Sequence, residues 1–193
     1  MLPIARAEML KHEADSIMDL LKLNEILDRY GEWNLTGSYA LNVMVYPDLD
    51  IYLNLVGLPR LFEIGTQIAT CEFVSQLVCE PSSDPVNLPG GLYLKARIKY
   101  GDWGRPWKID LWSLPNDVML NKNAQMSHFL QKITLELRQQ IIEYKLSIMT
   151  AEKRTPMYSG YYIYKAFIDE GMTDFDEITA YLMANGIRVQ NRE

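Results

Sequence analysis

Residues 48–55, DLDIYLNL, alternate strictly between polar and apolar side chains. Successive side chains of a β-strand point to opposite faces of its sheet, so this pattern predicts a strand with one apolar and one polar face. The apolar face backs the strand without interruption. The polar face carries Asp48 and Asp50 side by side. The chain is therefore expected to build a sheet that presents two neighbouring carboxylates.

Two carboxylates this close repel each other, and each raises the pKa of the other unless a positive charge lies between them. Mg²⁺ is commonly held by one or two carboxylates together with phosphate oxygens of a substrate. Just upstream, Gly37 and Ser38 follow a predicted strand at residues 33–36. Glycine lets backbone N–H groups approach a phosphate closely, and a helix that begins at Ser38 favours negative charge at its start. Together the two segments predict a site for a metal and a phosphate.

The order of these residues, Gly-Ser, nine residues and then Asp-Leu-Asp-Ile, resembles the signature of the nucleotidyltransferase fold shared with DNA polymerase β. That fold includes the small antibiotic nucleotidyltransferases and the minimal nucleotidyltransferases. The signature also requires a third carboxylate on a later strand, between apolar neighbours. Asp110 supplies it, within the segment Lys-Ile-Asp-Leu-Trp at residues 108–112. The resemblance spans residues 33–113.

The resemblance implies an α/β (α+β) fold, in which a small mixed sheet carries helices on one face and is followed by a helical C-terminal region. The expected division is a catalytic domain at residues 1–115, including an N-terminal helix, and a helical region at residues 116–193. The implied reaction takes a nucleoside triphosphate such as ATP, with Mg²⁺ or Mn²⁺. A nucleoside monophosphate passes to a hydroxyl acceptor, and pyrophosphate is released.

The resemblance also assigns roles to individual residues. Asp48 and Asp50 would hold the metal ions, and Asp110 would complete the second metal site or help to deprotonate the acceptor. Gly37 and Ser38 would cradle the outer phosphates. The implied acceptor is a small molecule, such as an antibiotic, or a protein. The alternative is a non-catalytic or antitoxin-type regulatory module of the same fold.

Two later segments repeat the polar alternation, at residues 92–100 and 107–114. Three strands of this kind predict one open, polar sheet face. Lys95 and Arg97 on the first segment and Lys108 on the second are expected to bind the nucleotide. For Lys95 and Arg97 an equally good reading is the solvated face of an edge strand, where charge discourages aggregation.

Apolar periodicity predicts helices elsewhere in the chain. Their expected ranges are residues 5–30, 38–45, 60–79, 117–150, 158–170 and 174–185. Cys71 and Cys79 fall on the third of these helices, about 12 Å apart at 1.5 Å per residue, which is too far for a disulfide.

A net charge of −6 argues against binding to long nucleic acid, which relies on a basic surface. No apolar run approaches the 18 or so residues that a membrane-spanning helix needs, and the N-terminus lacks a signal-peptide pattern. We therefore expect a cytoplasmic protein with no membrane partner. The composition indicates neither the acceptor nor the oligomeric state.

Overall fold

A computed structural model of the chain describes residues 2–82, 84 and 87–189. Within them the chain forms one five-stranded mixed sheet. Its strands are β1 (Trp33–Thr36), β2 (Asp48–Asn54), β3 (Val74–Pro81), β4 (Leu92–Ile98) and β5 (Trp107–Leu114). The order across the sheet is β1-β2-β5-β4-β3. The central strands β2 and β5 run parallel, and every other neighbouring pair is antiparallel.

Eight helices accompany the sheet in this part of the chain. They are α1 (Pro3–Leu21), α2 (Leu23–Leu27), α3 (Gly37–Ala40), α4 (Leu58–Ile68), α5 (Asn116–Lys132), α6 (Leu135–Ser147), α7 (Ser159–Ile168) and α8 (Phe175–Ala184). None of the helices described is long and apolar enough to cross a membrane.

The alternation in β2 separates the two faces of the sheet as predicted. Leu49, Ile51 and Leu53 are fully buried and pack in one core with the apolar sides of α1, α2 and α4. A second core joins α5, α6, α7 and α8 to the segment after α3, where Leu41 and Val43 are buried. The helices of the second core lie beside the polar face, so this face is the floor of a cleft rather than an open surface.

The predicted fold class, a small mixed sheet with helices and a helical C-terminal region, is confirmed. Strands β1 and β5 have the predicted bounds, and β2 and β4 end one and two residues earlier than expected. The C-terminal helices also lie where the periodicity placed them. The predicted boundary at residues 115 and 116 stays a prediction.

The predicted helix at residues 60–79 is wrong in its second half. Helix α4 ends at Ile68, and residues 74–81 form the edge strand β3, which pairs with β4. The apolar spacing in this segment suits either structure, and the free edge of β4 decides between them because it offers ladder hydrogen bonds. Cys71 therefore lies in the turn after α4 and Cys79 on β3, and both are free and half-buried.

Three other predicted helices are shorter or interrupted. The expected helix at 117–150 is two helices, because Ile133 is extended and the Thr134 hydroxyl caps α6 by accepting a hydrogen bond from the Leu137 N–H at 3.1 Å. The helix at 5–30 breaks at Lys22, whose backbone is left-handed (φ 51°). The helix expected at 38–45 is the single turn α3. Where the apolar pattern continues through a break in a helix, the sequence does not reveal that break.

Candidate metal and nucleotide site

Three carboxylates meet at the centre of the polar sheet face. Strand β2 presents Asp48 and Asp50, and the parallel pairing with β5 sets Asp110 directly opposite Asp50. One oxygen from each of the three side chains lies within 4.8 Å of the others. The structure thus brings together the three aspartates that the resemblance singled out.

The carboxylates repel one another in a poorly solvated place. Burial raises the pKa of Asp50 well above its ordinary value, and the charges of Asp48 and Asp110 raise it further. Burial also raises the pKa of Asp48; the nearby Lys108 acts in the opposite direction, and Asp110 adds to the increase. A divalent cation among these oxygens would relieve the repulsion.

The donor set fits such a cation. Carboxylate oxygens are the ligands that Mg²⁺ and Mn²⁺ prefer. Metal–oxygen distances of about 2.0–2.6 Å let one ion bridge oxygens up to roughly 4–5 Å apart, and the three oxygens lie within that span. Asp48, Asp50 and Asp110 are therefore a chemically suitable site for Mg²⁺ or Mn²⁺.

Lys108 lies inside this cluster. Its ammonium group is 3.1 Å from Oδ1 of Asp48 and 2.5 Å from Oδ2 of Asp110. Burial by itself lowers the pKa of Lys108, but the surrounding carboxylates outweigh burial and raise it, so the side chain is charged. The sequence predicted a nucleotide ligand here, and the structure pairs the ammonium with two of the aspartates.

Tyr93 is a partner of the site that sequence analysis missed. Its hydroxyl donates a 2.6 Å hydrogen bond to Oδ1 of Asp110, and its ring stacks on Trp112 with the centroids 4.2 Å apart. Tyr93 pairs with Trp112 across β4 and β5, so both lie on the polar face. An aromatic residue two positions before Lys95, on the same predicted face, was the available signal.

Gly37 forms the edge of the site on the β1 side. Its φ of +60° favours glycine, and a Cβ at this position would lie 2.6 Å from Oδ2 of Asp50. No other residue fits there without moving the carboxylate. Because α3 has only four residues, what it offers a phosphate is the backbone of a single turn rather than a full helix N-terminus.

Lys145 on α6 reaches the same edge from the helical half of the molecule. Its buried ammonium donates to the Ser38 Oγ at 2.7 Å and to the carbonyl of Val43 at 2.8 Å. Burial lowers the pKa of Lys145 to about 7, although the charges of Asp48 and Asp50 act in the opposite direction. The Ser38 hydroxyl also shares a 2.9 Å hydrogen bond with the Tyr164 hydroxyl.

The apolar spacing of residues 117–150 hides Lys145, which lies within that pattern. Lys145 lies four residues after Ile141 and three before Ile148, in line with the apolar face of α6. A lysine at such a position was the only signal of its role.

The aspartates lie on the floor of a cleft of about 470 Å³. Lys95 and Arg97 line its β4 side and have no ion-pair partner among the residues described. The opposite wall is aromatic and comes from α5, α7 and the segment before α7. Its rings are Phe129, Tyr158, Tyr161, Tyr162 and Tyr164.

No protein-family model matches this sequence, and no curated protein matches it either. Several solved structures resemble the fold, among them the following two. One is Cid1, which has RNA terminal uridylyl transferase activity; it is 13% identical, with a TM-score of 0.48 over 80% of this chain and 45% of that chain. The other comes from the GLD-2–GLD-3 non-canonical poly(A) polymerase complex; it is 13% identical, with a TM-score of 0.47 over 90% of this chain and 60% of that chain.

This chain spans less than two thirds of either matched structure. At TM-scores below 0.5 the two matches imply nothing about the activity of this chain, which must follow from the geometry of its own cleft.

Proposed function

We propose that this protein is a divalent-metal-dependent nucleotidyltransferase, which transfers a nucleoside monophosphate from a nucleoside triphosphate to a hydroxyl acceptor and releases pyrophosphate. One observation carries the proposal. Three carboxylates lie within 4.8 Å of one another on the floor of a cleft, beside a buried lysine and a glycine that a larger residue could replace only by displacing the Asp50 carboxylate. A pseudo-enzyme has no electrostatic reason to keep three carboxylates together.

The β1 edge of the cleft suits the outer phosphates of the triphosphate. The backbone at Gly37 and Ser38 can be approached closely because no Cβ projects from Gly37. Ser38 offers a hydroxyl, and the ammonium of Lys145 is already hydrogen-bonded to it. A phosphate at this position favours the charged form of Lys145 and so offsets the effect of burial. On the other side of the aspartates, Lys95 and Arg97 supply further positive charge without ion-pair partners among the described residues.

Asp48 and Asp50, with Asp110, would hold Mg²⁺ or Mn²⁺. When bound, the metal supplies charge stabilisation for the phosphoryl group in transfer. The acceptor oxygen forms a bond to the α-phosphorus, and the bond from that phosphorus to the bridging oxygen of the β-phosphate breaks as pyrophosphate leaves. Asp110, whose carboxylate is oriented by the Tyr93 hydroxyl, would complete the second metal site or take the proton of the acceptor hydroxyl.

The size and lining of the cleft suit a nucleotide. Its volume of about 470 Å³ lies within the range of roughly 300–1,000 Å³ that is usual for ligand pockets. The aromatic wall provides ring faces on which a base can stack, a contact that tolerates any base. A small molecule or a protein side chain would supply the acceptor hydroxyl.

Label transfer tests this proposal directly. Each of the four common nucleoside triphosphates, labelled at the α-phosphate, is incubated with the protein, Mg²⁺ or Mn²⁺, and a panel of aminoglycosides, lincosamides and cell lysate. We expect label on one acceptor, equimolar pyrophosphate, and no transfer by Asp50→Asn. The control is Asp19→Asn, because Asp19 is exposed on α1. No transfer to any acceptor would favour the non-catalytic module instead.

A further inference from the structure

We propose that Lys108 is a built-in counter-ion of the three aspartates, and that its ammonium must leave them when a divalent cation binds. This inference rests on the proposed function to the extent that the aspartates are the metal site. It concerns how that site is kept in shape and how binding of the cation is controlled.

The hydrogen bonds of Asp110 make the competition specific. Oδ1 of Asp110 accepts the Tyr93 hydroxyl at 2.6 Å, and Oδ2 accepts Lys108 at 2.5 Å. Both oxygens of this carboxylate are therefore engaged by protein donors. A metal ion that coordinates Asp110 must share Oδ2 with the ammonium of Lys108 or Oδ1 with the Tyr93 hydroxyl. In either case two cations lie on one carboxylate and repel each other strongly.

Asp48 adds a second point of competition. Lys108 lies opposite Asp48 in the register of β2 and β5, and its ammonium is 3.1 Å from Oδ1 of Asp48. Only 18% of the Lys108 side chain is exposed, so the ammonium has little water to replace these two partners. The same group thus occupies two of the three carboxylates that a metal would need.

The comparison with Lys95 shows that pairing with the aspartates depends on the position of the lysine as well as on its charge. It lies opposite Asp110 in the register of β4 and β5, on the same polar face as Lys108. It lines the same cleft, yet it has no ion pair among the described residues. Lys95 and Lys108 thus both border the aspartates from the sheet, and Lys108 is the one of the two that pairs with them.

The arrangement links the metal to the nucleotide. While Lys108 remains on the aspartates, their mutual repulsion is offset and metal binding is weakened. A triphosphate brings phosphate oxygens that both ligate the metal and offer the displaced ammonium a new partner. Metal and triphosphate should therefore bind more tightly together than separately, and Lys108 is the group that couples them.

Direct metal binding tests the proposal without any measurement of activity. Free Mn²⁺ is counted by electron paramagnetic resonance in titrations of the wild-type protein, Lys108→Gln and Lys95→Gln. Both substitutions remove one charge beside Asp110, so Lys95→Gln accounts for the general electrostatic effect. We expect Lys108→Gln to bind Mn²⁺ more tightly than Lys95→Gln by about tenfold or more. A factor of this size corresponds to one hydrogen bond to a charged group, which the Lys108 ammonium must break when the metal binds and which Lys108→Gln lacks.

The remaining outcomes of this titration are distinguishable from one another. If the wild type binds Mn²⁺ and Lys108→Gln gains no more affinity than Lys95→Gln, or loses affinity, Lys108 is not a competitor and the metal site stands. If neither the wild type nor Lys108→Gln binds Mn²⁺, the metal site of the proposed function fails as well. Binding by Lys108→Gln alone supports the proposal in its strongest form.

A second measurement needs no substitution and stays valid if Lys108→Gln does not fold. The wild-type protein is labelled with ¹³C and ¹⁵N lysine and titrated with Mg²⁺, while calorimetry follows binding. We expect the ε-CH₂ signal of Lys108 to move along the binding curve as its ammonium leaves the carboxylates. Saturable Mg²⁺ binding with an unmoved Lys108 signal overturns the proposal.

Discussion

At the scale of single residues, Gly37 shows how backbone and carboxylate fit together. Replacing it with alanine puts a left-handed residue there, at a cost of about 1–2 kcal/mol, and pushes the new Cβ against Asp50. Gly171→Ala is the matched control, because Gly171 has a similar φ of +65° but nothing lies within 4 Å of its Cβ position.

We expect both glycine variants to lose stability in urea unfolding, and Gly37→Ala alone to lose affinity for Mn²⁺. The free-energy cost of placing alanine in a left-handed backbone is common to the two positions, whereas the close contact with Asp50 arises at Gly37. Equal Mn²⁺ affinity in the two variants would mean that Asp50 is not part of the metal site.

Lys145 predicts a pH dependence. Its pKa of about 7 in the folded protein lies below the ordinary value for lysine, which the unfolded chain retains. Between these two values the unfolded state binds more protons, so the contribution of Lys145 to the free energy of unfolding rises with pH. A triphosphate favours the charged form, so nucleotide affinity should fall as pH rises above about 7.

Urea unfolding of the wild type and Lys145→Met, from pH 6 to 9.5, tests this sign. The wild type should gain stability relative to Lys145→Met as the pH rises through that range. Parallel curves for the two proteins would show that the ammonium is charged throughout and that the buried geometry does not shift its pKa.

At the scale of elements, the strands were more predictable than the helices. In β1, β2 and β4 polar and apolar residues alternate along the whole strand, and in β5 they alternate from Trp107 to Leu111, so the sequence displays these strands openly. β3 was mistaken for helix because its edge position relaxes that alternation. The breaks in the predicted helices at 5–30 and 117–150 depend on single backbone conformations that apolar spacing does not encode.

The candidate site was predictable where it follows from the strands. Asp48, Asp50, Asp110, Gly37 and Ser38 came from the resemblance, and the parallel pairing of β2 with β5 brings the aspartates together. Tyr93 and Lys145 were missed because their roles arise from contacts between distant elements. Lys108 was noticed, but its position between two carboxylates depends on the register of β5 against β2.

The cap of α6 gives a prediction at this scale. Thr134→Ala removes the acceptor for the Leu137 N–H and should lower the free energy of unfolding by about 1 kcal/mol. Thr134→Ser keeps a hydroxyl at this position and should therefore keep most of the stability that Thr134→Ala loses. Urea unfolding of the three proteins measures the difference. If Thr134→Ser loses as much as Thr134→Ala, the hydroxyl is not what begins this helix.

At the scale of the whole molecule, the cleft belongs to both halves of the chain. The sheet supplies the aspartates and the Gly37–Ser38 turn, while the helical half supplies Lys145 and the aromatic wall. The second core also contains Ala7 and Leu41 from the N-terminal half. A nucleotide in this cleft would therefore contact both halves, and its binding should stabilise them together.

The most direct test of a shared metal and triphosphate site is the thermal unfolding midpoint with Mg²⁺, with a non-hydrolysable nucleoside triphosphate, and with both. A ligand that binds only the folded state stabilises it by about 2.7 kcal/mol at a hundredfold excess over its dissociation constant. We predict that both ligands together raise the midpoint by more than the sum of the separate shifts, in the wild type and in Asp19→Asn but not in Asp50→Asn. The absence of any shift with all four common triphosphates, or an equal shift in Asp50→Asn, would contradict a metal and nucleotide site at these aspartates.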